Sequence, residues 1–237
     1  MPLMRLDRLL SECTALSRSQ LRQIIKNGSV SVDGIVITSP EHKVCSDTAR
    51  VELDGKTVSY EKFCYYRLNK PAGILSATDD KKQKTVIDLF PAELKKKNLF
   101  PVGRLDKDTT GLLIITNDGD FAHRVISPRS EIVKTYHAVT ETPVNDADIE
   151  AFRQGIVLAD GTKCLPAGLE KLPDGSCLVR VMEGKYHQVK RMLASRGKPV
   201  TALMRLSIGG LELDKGLLPG QFRQLSEKEL CSVNKKK

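Results

Sequence analysis

The stretch G-R-L-D-K-D-T-T-G, from Gly103 to Gly111, is followed directly by the apolar run L-L-I-I-T. Glycines at both ends allow the backbone to turn sharply, and the apolar run is typical of a buried strand. A tight loop that enters a buried strand holds its side chains rigidly. Asp106 is therefore a candidate reactive carboxylate, although an isolated aspartate in a loop more often hydrogen-bonds its own turn. Asp108 is interpreted as a turn residue of that kind.

Short strand-like and helical segments surround this loop without a regular βαβ alternation. The strand-like segments cover residues 65–68, 112–116, 132–139 and 178–181, and the helical ones cover 120–126, 146–154 and 186–196. Such an irregular succession favours an α+β fold over a doubly wound one. We therefore expect a mainly antiparallel mixed sheet with flanking helices.

The first 40 residues have a different pattern, in the order helix, helix, hairpin. Leu6, Leu9, Leu10 and Cys13 have helical spacing. Ser17 and Gln20 then form a possible capping box for a second helix, and an Asp-Gly pair at 33–34 predicts a hairpin turn. The polar stretch over residues 54–62 is interpreted as a linker to the following domain.

Basic residues recur on one face of the second helix, at Arg18, Arg22 and Lys26. The whole chain has 38 Lys and Arg against 29 Asp and Glu, a net charge of +9, which makes a polyanion a plausible partner. The segment from residue 184 to 205 alone holds six basic residues and no acidic one. From the charge spacing alone, an RNA-binding surface and a helix face that is merely solvated are about equally good interpretations.

Several functional classes are excluded by composition. The apolar runs are far shorter than the roughly 20 residues that span a bilayer, and no signal-peptide pattern opens the chain. The six cysteines include no C-x-x-C pair and the four histidines have no ligand spacing, which argues against structural zinc. We therefore expect reduced thiols, no disulfide, no metal and a cytoplasmic location.

Three motifs make the N-terminal segment resemble the S4 RNA-binding domain. They are R-L-D-R-L-L from Arg5, S-R-S-Q-L-R from Ser17 and G-S-V-S-V-D-G from Gly28. The resemblance implies an RNA-docking module over residues 1–59, in which Met1 to Leu3 have no structural role. The residues that it implies to contact RNA are Arg5, Arg18, Arg22 and Lys26.

Four further motifs, in order, make the rest of the chain resemble a pseudouridine synthase of the RsuA type. They are L-N-K-P-A-G from Leu68, R-L-D-K-D-T-T-G from Arg104, K-T-Y from Lys134 and E-G-K-Y-H-Q-V-K-R-M from Glu183. The resemblance implies a catalytic domain over residues 60–231, followed by a basic tail over 232–237. It also implies a reaction without cofactor or metal.

The resemblance assigns roles to individual residues. Asp106 matches the family's catalytic aspartate, Tyr136 the tyrosine that packs on the target uracil, and Lys190 the basic partner of the aspartate. Lys190 is alternatively a phosphate contact, which is the role expected of Arg191. Arg104 matches the arginine that replaces the flipped nucleotide, with a loop salt bridge as the alternative. Lys70 is expected to brace the active-site loop, and an apolar residue between 203 and 208 to line the uracil pocket.

The substrate implied by the resemblance is small-subunit ribosomal RNA. The stretch H-R-V-I-S-P-R, from His123 to Arg129, is similar to the small-subunit enzyme and implies uridine 516 of 16S rRNA as the target. The RNA partner is then 16S rRNA or an assembly intermediate of the small subunit, and a monomer is expected. The alternatives are a large-subunit rRNA enzyme of the same family and a non-catalytic RNA-binding assembly factor.

Overall fold

The computed structural model describes residues 3–234, which divide into two compact units. The first contains the residues up to Cys64 together with Phe90–Asn98, and the second contains Tyr65–Leu89 and the residues from Leu99 onward. Each unit has a hydrophobic core of its own. The domain limits at 59 and 231 stay predictions, and residues 235–237 of the predicted tail lie outside the described residues. No helix among residues 3–234 is long and apolar enough to cross a membrane.

Both predicted helices of the first unit are present. α1 spans Leu6–Cys13 and α2 spans Arg18–Lys26. The Ser17 N–H donates to the Gln20 side chain at 2.9 Å, and the Ser17 side chain accepts from the Gln20 N–H. This capping box satisfies N–H groups that a helix start leaves free, which explains why α2 begins where the sequence predicts. The apolar faces of α1 and α2 form most of the core.

The first unit also contains six short strands: β1 (Leu3–Arg5), β2 (Val30–Val32), β3 (Ile35–Val36), β4 (Lys43–Cys45), β5 (Val51–Leu53) and β6 (Lys56–Val58). The predicted hairpin is β2 with β3, and the antiparallel sheet has the order β3-β2-β5-β6. β1 pairs with β4, which brings Leu3 opposite Cys45. The expectation that Leu3 has no structural role is therefore wrong. The unit's third helix is the short α3 (Ala92–Lys95).

The predicted linker over residues 54–62 is wrong for its first half. Asp54 and Gly55 form the turn between β5 and β6, with φ of 49° and 72°. Asp33 and Gly34 likewise have positive φ values, 51° and 82°, in the β2–β3 turn. Two consecutive positive φ angles are what a type I′ hairpin turn requires. The second Asp-Gly pair was missed because β6 is an edge strand with mostly exposed side chains and no apolar alternation.

The second unit is built on one nine-stranded sheet. Its strands are β7 (Tyr65–Lys70), β8 (Phe100–Pro101), β9 (Thr110–Thr116), β10 (Lys134–Thr140), β11 (Gly168–Lys171), β12 (Cys177–Val181), β13 (Val200–Ile208), β14 (Leu211–Glu212) and β15 (Phe222–Gln224). The order is β11-β12-β10-β13-β9-β7-β15, with β14 on β13 and β8 on β9. Among these strands only β9 and β13 pair in parallel. The α+β fold with a mainly antiparallel mixed sheet is confirmed.

Four helices flank this sheet: α4 (Gly119–Ile126), α5 (Asp146–Gln154), α6 (Gln188–Ser195) and α7 (Glu227–Ser232). The first three were predicted to within two residues at each start, while α7 was not. α6 begins after the predicted residue because His187 has a left-handed backbone, with φ of 47°. One core lies among β10, β12, α5 and α6, and a second lies among β9, α4 and α7. The loop that carries Asp106 enters β9.

Candidate active site

The loop from Gly103 to Gly111 turns at both glycines, which have φ of +77° and +97°. The Ser76 hydroxyl holds its middle, since it donates to the Leu105 carbonyl at 2.8 Å and accepts from the Leu105 N–H at 3.0 Å. The Thr109 N–H donates to the Asp106 carbonyl at 3.1 Å. The backbone at Asp106 is therefore fixed on both sides.

Lys70 fastens the same loop from the end of β7. Its side chain is fully buried, and its Nζ donates to the carbonyls of Pro71, Lys107 and Thr109 at 3.0, 3.2 and 2.9 Å. Burial lowers the pKa of Lys70 to about 8, while Asp108 and Asp106 oppose that shift. The three carbonyls use all the donors that an ammonium has. These contacts support the bracing role.

Asp106 faces the side chains of Lys190 and His187, both of which belong to the 183–192 segment. Its carboxylate lies 3.5 Å from Lys190 Nζ and 3.4 Å from His187 Nε2, and its side chain is 26% exposed. Lys190 projects from the first turn of α6, and His187 immediately precedes that helix. The structure thus brings Asp106 and Lys190 together, from positions 84 residues apart in sequence. His187 is a neighbour that the sequence reasoning did not single out.

Asp108 is a closer partner of Lys190 than Asp106 is. Lys190 Nζ donates to Asp108 Oδ1 at 2.5 Å, and this hydrogen bond holds the pKa of Asp108 below its usual value. The Asp108 side chain is 74% exposed, whereas that of Lys190 is 22% exposed. Asp108 was interpreted only as a turn residue, and in the structure it shares the lysine with Asp106.

Tyr136 lies on β10 directly opposite Arg205 of β13. Its hydroxyl is 3.4 Å from Arg205 Nη1, and the guanidinium carbon is 5.9 Å from the tyrosine ring centroid. Tyr136 and Asp106 both line a cavity of about 1030 Å³ and a smaller adjoining one of about 70 Å³. Leu203 lines the smaller cavity and Ile208 the larger, so both ends of the predicted apolar segment reach this site.

Arg104 lies at the rim of both cavities. Its side chain is exposed, and within the described part of the chain it forms no ion pair or hydrogen bond. The loop salt bridge considered as an alternative is therefore not formed with any described residue. An unpaired, exposed guanidinium beside a cavity is available to a nucleic acid.

Arg191 is not brought into the cavity. It pairs with Asp160, with 2.6 Å between Nη2 and Oδ2, and donates to the Tyr186 carbonyl at 3.4 Å. Hydrogen bonds from Thr162 and then from Arg191 hold the pKa of Asp160 at about 2. A phosphate contact by Arg191 must therefore compete with an existing ion pair.

The four basic residues predicted to bind RNA in the first unit fall into two groups. Arg5 and Arg22 bind the buried carboxylate of Asp7 at 2.9 and 3.2 Å. The hydrogen bond from Arg5, followed by that from Arg22, lowers the pKa of Asp7. Arg18 and Lys26 are exposed on α2. Arg5 and Arg22 thus stabilise the unit, whereas Arg18 and Lys26 are more freely available to a ligand.

Several residues at the cavity were not singled out from the sequence. Tyr186 is exposed and stacks on His187 with 3.8 Å between ring centroids. Glu183 is buried, pairs with Lys185 at 2.8 Å and accepts from Gln188 at 2.8 Å. Lys134 and Arg205 are buried in the cavity wall. All except Arg205 belong to motifs quoted above, but no sequence spacing shows which of their side chains face Asp106.

No group of three His, Cys, Asp or Glu side chains in residues 3–234 is placed to hold a metal ion. The site instead holds carboxylates, Lys and Arg side chains, the His187 imidazole and the phenols of Tyr136 and Tyr186. This set can stabilise charge and transfer protons.

Two family models match the chain. The RNA pseudouridylate synthase model matches residues 65–195, and the S4 domain model matches residues 4–48. Curated relatives extend the similarity over nearly the whole chain. The uncharacterized RNA pseudouridine synthase YtzG of Bacillus subtilis (strain 168) is 42% identical over 98% of both chains. The ribosomal small subunit pseudouridine synthase A of Escherichia coli (strain K12) is 39% identical over 97% of this chain and 100% of its own.

A solved structure has a similar fold. A crystal structure described as a pseudouridylate synthase is 34% identical, with a TM-score of 0.69 over 97% of this chain and 99% of its own. The chain therefore belongs to the RNA pseudouridylate synthase family of isomerases. Within it the chain is of the RsuA type with an N-terminal S4 domain, as the sequence motifs predicted.

Proposed function

We propose that this protein isomerises one uridine of 16S rRNA, uridine 516 in rRNA numbering, to pseudouridine, with Asp106 as the essential carboxylate. The observation that carries the proposal is the convergence of Asp106, Tyr136 and Lys190 on one cavity. Relatives named for the small ribosomal subunit at 39% identity support the choice of rRNA.

The reaction separates uracil N1 from the ribose, turns the base and joins its C5 to the same carbon. Asp106 acts as an anion, either as a nucleophile or by stabilising positive charge on the sugar. Lys190 and His187 lie 3.5 and 3.4 Å from the Asp106 carboxylate. Tyr136 packs on the uracil and transfers a proton during the isomerisation.

The target nucleotide must leave its stack before this chemistry, because a stacked base is inaccessible. Arg104 is unpaired at the rim, in a position to enter the space that the nucleotide leaves. Lys70 keeps the loop that carries Arg104 and Asp106 in place through its three carbonyl contacts.

RNA outside the cavity is bound mainly by the S4 domain in this proposal. Arg18 and Lys26 supply the phosphate contacts, and Arg5 and Arg22 add to them while they remain bound to Asp7. Arg191 is a further contact if RNA displaces Asp160. We propose that the protein acts as a cytoplasmic monomer on 16S rRNA or on a particle that assembles around it, without a cofactor.

The experiment is pseudouridine mapping, at single-nucleotide resolution, of unmodified 16S and 23S rRNA treated with wild-type protein, Asp106→Asn or Asp79→Asn. We expect one new 16S site with the wild type and none with Asp106→Asn. Asp79→Asn is the matched control and is expected to act like the wild type, because Asp79 is an exposed loop residue away from Asp106 and Lys190. A new site in 23S rRNA alone would favour the large-subunit alternative.

A further inference from the structure

Two buried cationic side chains in the cavity wall lack hydrogen-bond partners. Lys134 is 7% exposed and Arg205 is 4% exposed. The Nζ of Lys134 and the Nη2 of Arg205 are inaccessible to solvent, and no residue among 3–234 accepts a hydrogen bond from either. A buried donor without a partner is costly, and the places where native structures keep one include functional sites and sites of a bound water or ion.

Two other nitrogens of Arg205 already have hydrogen-bond partners, which orient the guanidinium. Its Nε donates to the Leu112 carbonyl at 2.8 Å, and its Nη1 lies 3.4 Å from the Tyr136 hydroxyl. Nη2 has no hydrogen-bond partner among residues 3–234. Lys134 has no such anchor, and burial, followed by repulsion from Arg205, lowers the pKa of its ammonium to about 8. The two cations are therefore close enough to repel each other.

The carboxylates of the cavity wall do not neutralise this pair. Asp106 is engaged with His187 and Lys190. Glu183 is engaged with Lys185 and with the Gln188 amide. The region around Lys134 and Arg205 therefore keeps an uncompensated positive charge, which fits a ligand group that is rich in acceptors and becomes negative.

The pair stands beside the residue expected to pack on the base. Arg205 is opposite Tyr136 across β10 and β13, and Lys134 is opposite Ile208 in the same ladder. All four line the larger cavity together with Asp106. A uracil placed against Tyr136 thus lies beside both side chains. Their end nitrogens are covered in the structure and become its donors when the two side chains turn toward the base.

We propose that Lys134 and Arg205 bind the carbonyl oxygens of the target uracil and stabilise the negative charge that the base acquires when it leaves the sugar. This inference rests on the proposed function, since it assigns the recognition of the base within that reaction. It adds two residues to Asp106, Tyr136 and Lys190.

The charge follows from the electron count of the reaction. When the bond from N1 to C1′ breaks, both electrons stay with uracil, whose negative charge is shared by N1, O2 and O4. The Asp106 carboxylate meets the positive C1′. The ring then forms the new bond from C5 to C1′, the C5 hydrogen leaves as a proton, and N1 gains a proton. Hydrogen-bond donors at O2 and O4 therefore stabilise the detached, negatively charged base more strongly than the neutral base of the substrate.

The same pair accounts for base selectivity. Cytosine has an amino group where uracil has its C4 carbonyl, so it would place a donor against a donor. Leaving buried polar groups unpaired is what makes a hydrogen-bonding site reject such an analogue strongly. The site therefore selects uridine by its acceptors.

The test compares Lys134→Met, Lys134→Arg and, as a matched control, Lys215→Met at an exposed loop position. Single-turnover rates are measured on whichever rRNA the wild type modifies, together with RNA affinity and Tm. Lys134→Met is expected to lower the rate about 100-fold, with unchanged RNA affinity and no fall in Tm. Lys134→Arg is expected to recover at least about a tenth of the wild-type rate because it restores a charged donor.

A Lys134→Met rate equal to the wild type would overturn the inference, as would a loss of rate matched by a fall in Tm.

A second substrate, with a neutral methylphosphonate at the target nucleotide, distinguishes binding of the base from binding of its phosphate. If Lys134→Met has no further effect on that substrate, the pair holds the phosphate and the inference is wrong. If the effect persists, the base is the ligand. If the wild-type protein modifies an RNA other than 16S rRNA, the proposed target is wrong. The inference about Lys134 and Arg205 is then still tested on the RNA that the wild type modifies.

Discussion

Gly111 and Arg205 approach so closely that a Cβ atom on Gly111 would lie 2.3 Å from the Arg205 carbonyl oxygen and 2.9 Å from its nitrogen. This contact belongs to the parallel pairing of β9 with β13, where the two residues are direct partners. Gly111 ends the Asp106 loop, and Arg205 lies opposite Tyr136. A glycine at position 111 thus allows the two halves of the active site to meet.

We expect Gly111→Ala to lower the free energy of unfolding by about 3 kcal/mol or more, because it adds a backbone clash to an unfavourable positive φ. Gly103→Ala is the matched control, since that residue also has a positive φ but its Cβ would meet only Ile126 Cγ1 at 3.6 Å. Strain alone costs that variant about 1–2 kcal/mol. Urea unfolding of both variants measures the difference, and equal losses would contradict the close approach.

Lys70→Met is expected to destabilise the protein by at least about 2 kcal/mol, because three loop carbonyls lose their donor. Catalytic activity should fall together with stability, because the loop that carries Asp106 loses the hydrogen bonds that hold it in place. Lys134→Met is the control, because it removes a buried lysine that has no partner. Chemical denaturation distinguishes the two, and a Lys70→Met protein as stable as the wild type would refute the bracing role.

The pH dependence of the free energy of unfolding should reveal that Lys134 is a buried ammonium. Burial, together with repulsion from Arg205, lowers its pKa from 10.5 to about 8. Between these values the unfolded chain binds more protons than the folded one, so this residue makes stability rise with pH. Below about pH 8 its charged form costs the folded state on the order of 3 kcal/mol.

The measurement is the difference in unfolding free energy between Lys134→Met and the wild type from pH 7 to 10. Taking this difference cancels the similar contribution of Lys70, whose pKa is also lowered to about 8. The advantage of the variant should shrink as pH rises through that window. A difference independent of pH would show that Lys134 is not a buried ammonium.

Local spacing predicted the local features of the fold but not its long-range contacts, and the pairing of Asp106 with Lys190 was implied only by the family resemblance. Ser17 with Gln20 predicted the start of α2, because a capping box depends on four neighbouring residues. The start of α6 was misplaced because His187, which lies beside Asp106, has a left-handed backbone that helical periodicity does not predict. Arg205 and Tyr136 are 69 residues apart and meet only through the register of β10 and β13. No local periodicity encodes that register.

The charged residues show the same limit. The basic spacing on α2 treated Arg18 and Arg22 as equivalent, yet only Arg22 reaches the buried Asp7. Asp108 was interpreted as a turn residue because its lysine partner is 82 residues away in sequence. Spacing along one helix or turn shows which residues share a face but not which of them find a partner.

Arg22→Ala and Arg18→Ala should separate stability from RNA binding. We expect Arg22→Ala to cost about 1 kcal/mol, because it removes one of two donors to a buried carboxylate. Arg18→Ala should change stability by less than about 0.5 kcal/mol. It should weaken RNA binding and reduce the slope of affinity against salt by about 1. An unchanged RNA affinity for Arg18→Ala would argue for a merely solvated helix face.

The most direct test of the central claim uses 16S rRNA transcribed with uridine that carries tritium at C5. Joining C5 to the sugar expels that hydrogen, so release of tritium to water reports the isomerisation itself. The wild-type protein should release the label from one uridine equivalent per rRNA, and Asp106→Asn should release none above background while it binds the RNA normally. Release by Asp106→Asn at the wild-type rate would contradict the assignment of Asp106 as the essential carboxylate.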